Sequence, residues 1–174
     1  MARSSLIEFQ GRLAERLQGA QQNRSESRWL AVVAGSHHLL LPLGQSGEIS
    51  SWETPTALPH AQPWFAGLLN LRGVLCGVVD LAAFLGESGA RDAQARGGGH
   101  SRLVQFSSRL ELNCALLVDQ LAGLRTPAQL TPDTQAGAAA PPWLGPALRD
   151  AAGQTWRELN LELLSQDPRF LQVV

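Results

Sequence analysis

Lysine is absent from the 174 residues, so all 14 basic side chains are arginine. That absence removes Schiff-base chemistry, a lysine general base and the phosphate-gripping lysine of a P-loop together. Tyrosine is also absent, and cysteine occurs twice. Cys76 and Cys114 sit in separate apolar stretches with no C-x-x-C or Cys/His spacing, so they are expected to be buried, reduced free thiols with no part in a metal or redox site. No apolar run approaches the ~18 residues of a membrane span. The N-terminus carries Glu8 and Glu15 without a continuous apolar segment, which is not the make-up of a secretory leader. A cytoplasmic location without membrane insertion is therefore expected. An excess of either charge is missing too: 14 basic residues face 15 acidic ones, a net charge of −1. No bulk field exists to condense on nucleic acid or on an anionic lipid surface. What remains is apolar enough to fold, with 44% hydrophobic and 17% charged residues. The length suits one domain or two small packed subdomains.

Along the chain the period of the apolar residues changes. Leu6, Phe9, Leu13 and Leu17 recur at helical spacing, and Ser5 with Glu8 forms a capping-box pattern, so an amphipathic helix with its linker is expected over 1–28. From Trp29 the pattern becomes extended. Trp29–Ala34 and 38–43 predict a hairpin of buried strands turning at 35–37, with Pro42 marking an edge or a bulge. Residues 53–63 hold Pro55, Pro59 and Pro63 and predict an extended loop. Phe65–Leu71 and 74–79 follow as strands around an Arg72-Gly73 turn. Asp80 is placed to cap a short helix over 81–85 that stops at Gly86. A glycine-rich loop spans 87–101, and then the pattern recurs. Arg102–Phe106 and 110–118 repeat the hairpin, 126–142 repeats the proline loop, and 156–164 repeats the strand entering a helix, with Asn160-Leu161 in the place of Asp80-Leu81. This predicts an internal duplication: a mostly β fold of two pseudo-symmetric, SH3-like barrels, the first over about 29–86 and the second over about 102–174, with terminal segments open to exchange and short helices at the subdomain ends.

Catalytic patterns are scarce. There is no G-x-S-x-G elbow, no H-E-x-x-H and no G-x-G-x-x-G in a strand-to-helix setting, and no cofactor or metal is expected. His37, His38, His60 and His100 fall in stretches expected to be exposed turns or loops and are taken as solvated. Asp80 and Asp119 both end apolar strands. As a pair they leave open a small-molecule hydrolase, although capping of nearby amides is the simpler use of a strand-end aspartate. Arg72 stands on a tight turn between two apolar strands, where a guanidinium either points into solvent or meets a carboxylate. A generic SH3-like peptide module is a further alternative, but it needs an aromatic-lined groove, and the five Trp and five Phe do not cluster in any one loop.

The run Phe65-Ala66-Gly67-Leu68-Leu69-Asn70-Leu71-Arg72-Gly73-Val74, followed by Val78-Val79-Asp80-Leu81 and Leu85-Gly86, resembles the signature of the CheW-like coupling domain of bacterial chemosensory systems. Leu58-Pro59 and Glu48-Ile49 fall where that family has a proline loop and a Glu-Ile pair. The resemblance is dense over 29–86 and thinner beyond. The ending Trp156-Arg157-Glu158-Leu159-Asn160-Leu161 and Asp167-Pro168-Arg169-Phe170-Leu171 is similar to the PilI branch, which serves type IV pilus twitching systems; a flagellar-type adaptor is the alternative. One departure is Gly77, where the family usually has proline. The resemblance implies a non-catalytic adaptor between the cytoplasmic tip of a methyl-accepting chemoreceptor and the regulatory domain of a CheA-type histidine kinase, recruited to membrane receptor arrays at the cell pole. It implies receptor contacts at Arg72, Glu48 and Asn70. For the kinase, apolar residues in excess of what two small barrels bury point to Leu121, Leu124 and Leu68. With Met1 at its start and no kinase or receiver motif, the chain is not expected to be a fragment of a kinase.

Overall fold

The computed structural model describes residues 28–87, 99–134 and 140–174. The expected helix bearing Leu6, Phe9, Leu13 and Leu17 lies outside them, as does most of the 87–101 loop. Among the described residues eleven strands form two sheets. They are β1 (Trp29–Ala34), β2 (His37–Pro42), β3 (Ser46–Ser51), β4 (Phe65–Leu71), β5 (Val74–Asp80), β6 (Arg102–Phe106), β7 (Cys114–Val118), β8 (Gln120–Arg125), β9 (Leu130–Pro132), β10 (Leu144–Asp150) and β11 (Thr155–Leu159). The helices are single turns: α1 (Leu81–Phe84), α2 (Leu161–Leu164) and α3 (Pro168–Leu171). The fold is thus mostly β, in two small sheets, as expected.

The strands do not divide at the middle of the chain. One sheet runs β8-β1-β2-β11-β10-β9 and the other β3-β6-β7-β5-β4. The sequential partition into 29–86 and 102–174 is therefore corrected: each unit takes two strands from one half and three or four from the other. The duplication remains visible in this exchange. The β1–β2 hairpin joins β11 in parallel, and the β6–β7 hairpin joins β5 in parallel. β8 pairs with β1 as β3 pairs with β6. The short β9 lies against β10 as the isolated Thr56 bridge lies against Leu68 of β4. Each half ends in the same device: Asp80 accepts a hydrogen bond from the Ala83 amide at 3.2 Å, and Asn160 accepts one from the Leu163 amide at 3.0 Å. These caps hold the first turns of α1 and α2.

Continuous apolar strands follow from burial on both faces. Leu30, Val32 and Ala34 of β1, with Leu39 and Leu41 of β2, face a large core between the sheets; Val104, Phe106, Leu116 and Val118 meet them from the other sheet. The alternate residues Trp29, Ala31 and Leu40 fill one barrel, and Leu103, Ala115, Leu117, Cys76 and Val78 fill the other. The shared core also receives Phe84, Leu161, Leu164 and Phe170 from the helices, and it welds the two barrels into one body. Phe84 meets Trp64 and Phe170 edge to face at 5.1 and 5.3 Å.

Several local expectations are revised. His37 and His38 belong to β2 and are half-buried, His38 lying edge-on to Trp156 at 5.1 Å; the turn between β1 and β2 is Gly35-Ser36 alone. His60 and His100 are exposed as expected. The strand expected from residue 110 starts at Cys114, because Ser107 caps a 3-10 turn at Ser108–Leu110 and Glu111 takes a left-handed conformation. Pro42 ends β2 beyond the two residues paired to β11, so its missing amide interrupts no ladder there. Gly77 sits inside β5 and donates its amide to the Asn113 carbonyl at 3.0 Å, a bond that proline at this position lacks.

Candidate functional site

The β4–β5 hairpin turns on two residues, Arg72 (φ 51°) and Gly73 (φ 87°). Positive φ at both central positions is the type I′ geometry that matches the right-handed twist of the flanking strands. Glycine takes it freely, whereas arginine in the left-handed region is disfavoured by ~1–2 kcal/mol. Two contacts hold it. The Gly73 amide donates to Asn70 Oδ1 at 2.8 Å, and Arg72 Nη2 lies 2.7 Å from Glu48 Oε1. Glu48 is on β3, one edge of the five-stranded sheet, and Arg72 follows β4, the opposite edge. The ion pair therefore joins the two edges of the rolled sheet. Arg72, Glu48 and Asn70 are thus brought together at the tip of this hairpin. The Arg72 side chain is 82% exposed even while paired, so most of its donors face solvent. Beside it Ile49, Val74 and Leu75 are exposed, Leu75 at 59%. A cation on a constrained turn, framed by exposed aliphatic side chains, is suited to a partner that offers a carboxylate next to an apolar surface.

The three residues assigned to a kinase surface do not share one sheet. Leu121 and Leu124 lie on β8 at the edge of the six-stranded sheet, whereas Leu68 lies on β4 of the other. Leu121 packs against the shared core, and Leu68 is half-buried beside its bridge to Thr56. Leu124 is exposed. Val74 and Leu75 lie elsewhere, opening β5 directly after the Arg72-Gly73 turn.

The groups that left an enzyme open have structural duties. Asp80 is buried and caps α1. The Asp119 carboxylate accepts from the Gly35 amide in the β1–β2 turn. Both cysteines are buried. Cys76 faces the five-stranded barrel and Cys114 the shared core, on opposite faces of one sheet, an arrangement that forbids a disulfide between them. Burial pushes the Cys114 thiol well above the ordinary range, the Cys76 thiol adding to it; burial raises Cys76 as well. Among the described residues no cluster of histidine, cysteine and carboxylates is arranged to hold a metal ion, and no helix is long and apolar enough to cross a membrane.

The CheW-like domain family matches residues 28–169, nearly all of the described chain. The chain belongs to that family. It is 34% identical to a probable chemotaxis protein CheW of Rhizobium etli over 104 residues, 60% of this chain and 63% of that protein. It is 27% identical to the protein PilI of Pseudomonas aeruginosa over 114 residues, 66% of this chain and 61% of that protein. The matched stretches thus span less than two thirds of those relatives. The crystal structure of the scaffolding protein TtCheW from Thermoanaerobacter tengcongensis superposes with a TM-score of 0.65 at 14% identity, covering 86% of this chain and 98% of that one. This last likeness is one of fold.

Proposed function

We propose that this CheW-like chain couples the cytoplasmic tip of a methyl-accepting chemoreceptor to the regulatory domain of a CheA-type histidine kinase, in the cytoplasm and at polar receptor arrays, within a system that drives type IV pilus twitching. The observation that carries this reading is the strained, exposed Arg72 turn, paired with Glu48 and framed by Ile49, Val74 and Leu75. Backbone strain at a side chain held in solvent is a mark of a functional position. A receptor hairpin tip supplies the carboxylates and aliphatic residues such a surface takes. Asn70 contributes by fixing the turn through the Gly73 amide. The kinase contact is assigned to the β8 edge through Leu124, with Leu121 behind it and Leu68 on the second sheet. Similarity to PilI over 66% of this chain supports the pilus system, and the 34% identity to a chemotaxis protein CheW supports the flagellar-type alternative.

The test is binding of the purified chain to a soluble fragment carrying the receptor tip. Saturable binding in the micromolar range is expected, and its absence at hundreds of micromolar overturns the receptor assignment.

A further inference from the structure

A cleft of about 540 Å³ opens between β2, the end of α1, β10, β11 and α3, away from the Arg72 turn. That volume falls within the range of small-molecule sites. One wall is apolar, formed by Leu39, Leu85, Trp143 and Leu144. The polar lining is dominated by cations and neutral donors, and no carboxylate is part of it. Arg157, on β11, is one of its lining residues, and the Nε atom of that guanidinium is buried with no hydrogen-bond partner among the described residues. An unmet buried donor of a charged group is costly, by at least ~1–3 kcal/mol, and such groups are rare in folded proteins. Among the described residues no ion pair meets Arg157 either. A second guanidinium stands at the rim: Arg169 lies 5.2 Å above the Phe84 ring and donates one bond to the Phe84 carbonyl, its other donors meeting no acceptor among the described residues. His37 and His38 complete this side. The mouth shows what the surface accepts. There the Glu87 carboxylate takes hydrogen bonds from the Ser36 amide and hydroxyl and stands 3.8 Å from His37 Nε2.

We propose that this cleft binds a small organic carboxylate, its charge held by Arg157 and Arg169 and its apolar body laid against Trp143, Leu39 and Leu85. Paired N–H groups of a guanidinium match the two oxygens of a carboxylate, and the apolar wall favours an anion with a hydrocarbon body over an inorganic one. The site is independent of the adaptor reading, since none of its residues belongs to the Arg72 surface.

The test titrates the full ¹⁵N-labelled chain with phenylacetate and follows the Arg157 Nε–H resonance, assigned by its loss in Arg157→Gln, together with the backbone amides of Leu39, Leu85 and Leu144, which report binding in the variants as well. A saturable shift is expected, with affinity at least tenfold weaker in Arg157→Gln and severalfold weaker in Arg169→Gln, whose exposed side chain makes its fold safe. 2-Phenylethanol and inorganic phosphate are expected not to saturate over the same range. No saturable shift with phenylacetate overturns the proposal. So does equal binding by both variants in the folded state, or phosphate binding as tight as that of phenylacetate.

Discussion

Replacing Arg72 by alanine separates a binding role from a structural one, because the structure sets the two costs far apart. At φ 51° both arginine and alanine sit in the left-handed region, so the backbone penalty is common to the two and cancels. What the fold loses is one ion pair whose arginine is 82% exposed and whose glutamate is 37% exposed. Exposed pairs contribute ~0.2–1 kcal/mol, and this exposure places the pair at the low end. For a chain of this length 1 kcal/mol corresponds to ~2–4 °C in Tm, so a fall of less than about 2 °C is expected. A charge-assisted bond between Arg72 and a receptor carboxylate carries ~1.5–3 kcal/mol, which is about ten- to 150-fold in Kd. Calorimetric titration of a receptor-tip fragment, beside a thermal melt, reads both numbers. Exchanging the pair as Arg72→Glu with Glu48→Arg restores the intramolecular contact without restoring the cation on the turn, and binding is expected to stay lost. Unchanged Kd in Arg72→Ala refutes the role in recognition. A drop in Tm beyond 5 °C, or recovery of binding in the exchanged pair, makes the ion pair a latch between β3 and the β4–β5 hairpin instead.

Asp80→Ala should destabilise the fold by ~1–2 kcal/mol in urea unfolding through loss of the α1 cap, whereas Asp80→Asn, which installs the residue that caps α2, should cost clearly less; equal losses would mean that capping is not its main duty. The thiols should resist labelling in the folded state. Because burial raises the folded pKa of Cys114 above that of an ordinary thiol, the unfolded chain releases the proton first; stability from this group is complete below pH ~8.5 and falls above it by ~1.4 kcal/mol per pH unit until the folded pKa is reached. Reaction with a disulfide reagent faster than global unfolding, or urea stability flat from pH 8 to 11, would contradict this. Leu124→Glu should abolish association with the kinase regulatory domain while receptor binding and circular dichroism are unchanged; kinase affinity equal to that of the unaltered chain would move the contact off β8.

Much of the fold was legible where burial is two-sided. Leu30 to Ala34 and Leu39 to Leu41 are apolar at every position because one alternate set fills a barrel and the other fills the shared core, and that continuity marks a covered strand without any structure. The caps at Asp80 and Asn160 were legible because a cap is local, a side chain reaching an amide three residues on. Exchange was read only as open to the terminal segments, and which strands exchange was not legible. β2 pairs with β11 across more than a hundred residues, and nothing in either segment encodes the partner. Strands β3, β8 and β10 were missed because they are edge or near-edge strands with exposed alternate residues and glycine or proline inside, at Gly47, Gly123 and Pro146. In the site, the Arg72-Gly73 turn was legible from its position between apolar runs. Glu48 entered only through the family resemblance, since its 2.7 Å contact with Arg72 depends on the sheet rolling its edges together. Arg157 gave no signal: in Trp156-Arg157-Glu158-Leu159 it has the place of an ordinary strand residue, and the burial of its Nε is a product of tertiary packing.

Sedimentation of receptor-tip assemblies with the CheA-type kinase, in the presence and absence of this chain, tests the adaptor role most directly. The account predicts that the kinase pellets with receptor only when the chain is added, and that Arg72→Ala and Leu124→Glu each remove it from the pellet, the first by releasing the chain from receptor and the second with the chain still bound. Kinase that pellets equally without the chain, or that stays in the supernatant at saturating chain while the chain itself pellets, contradicts it.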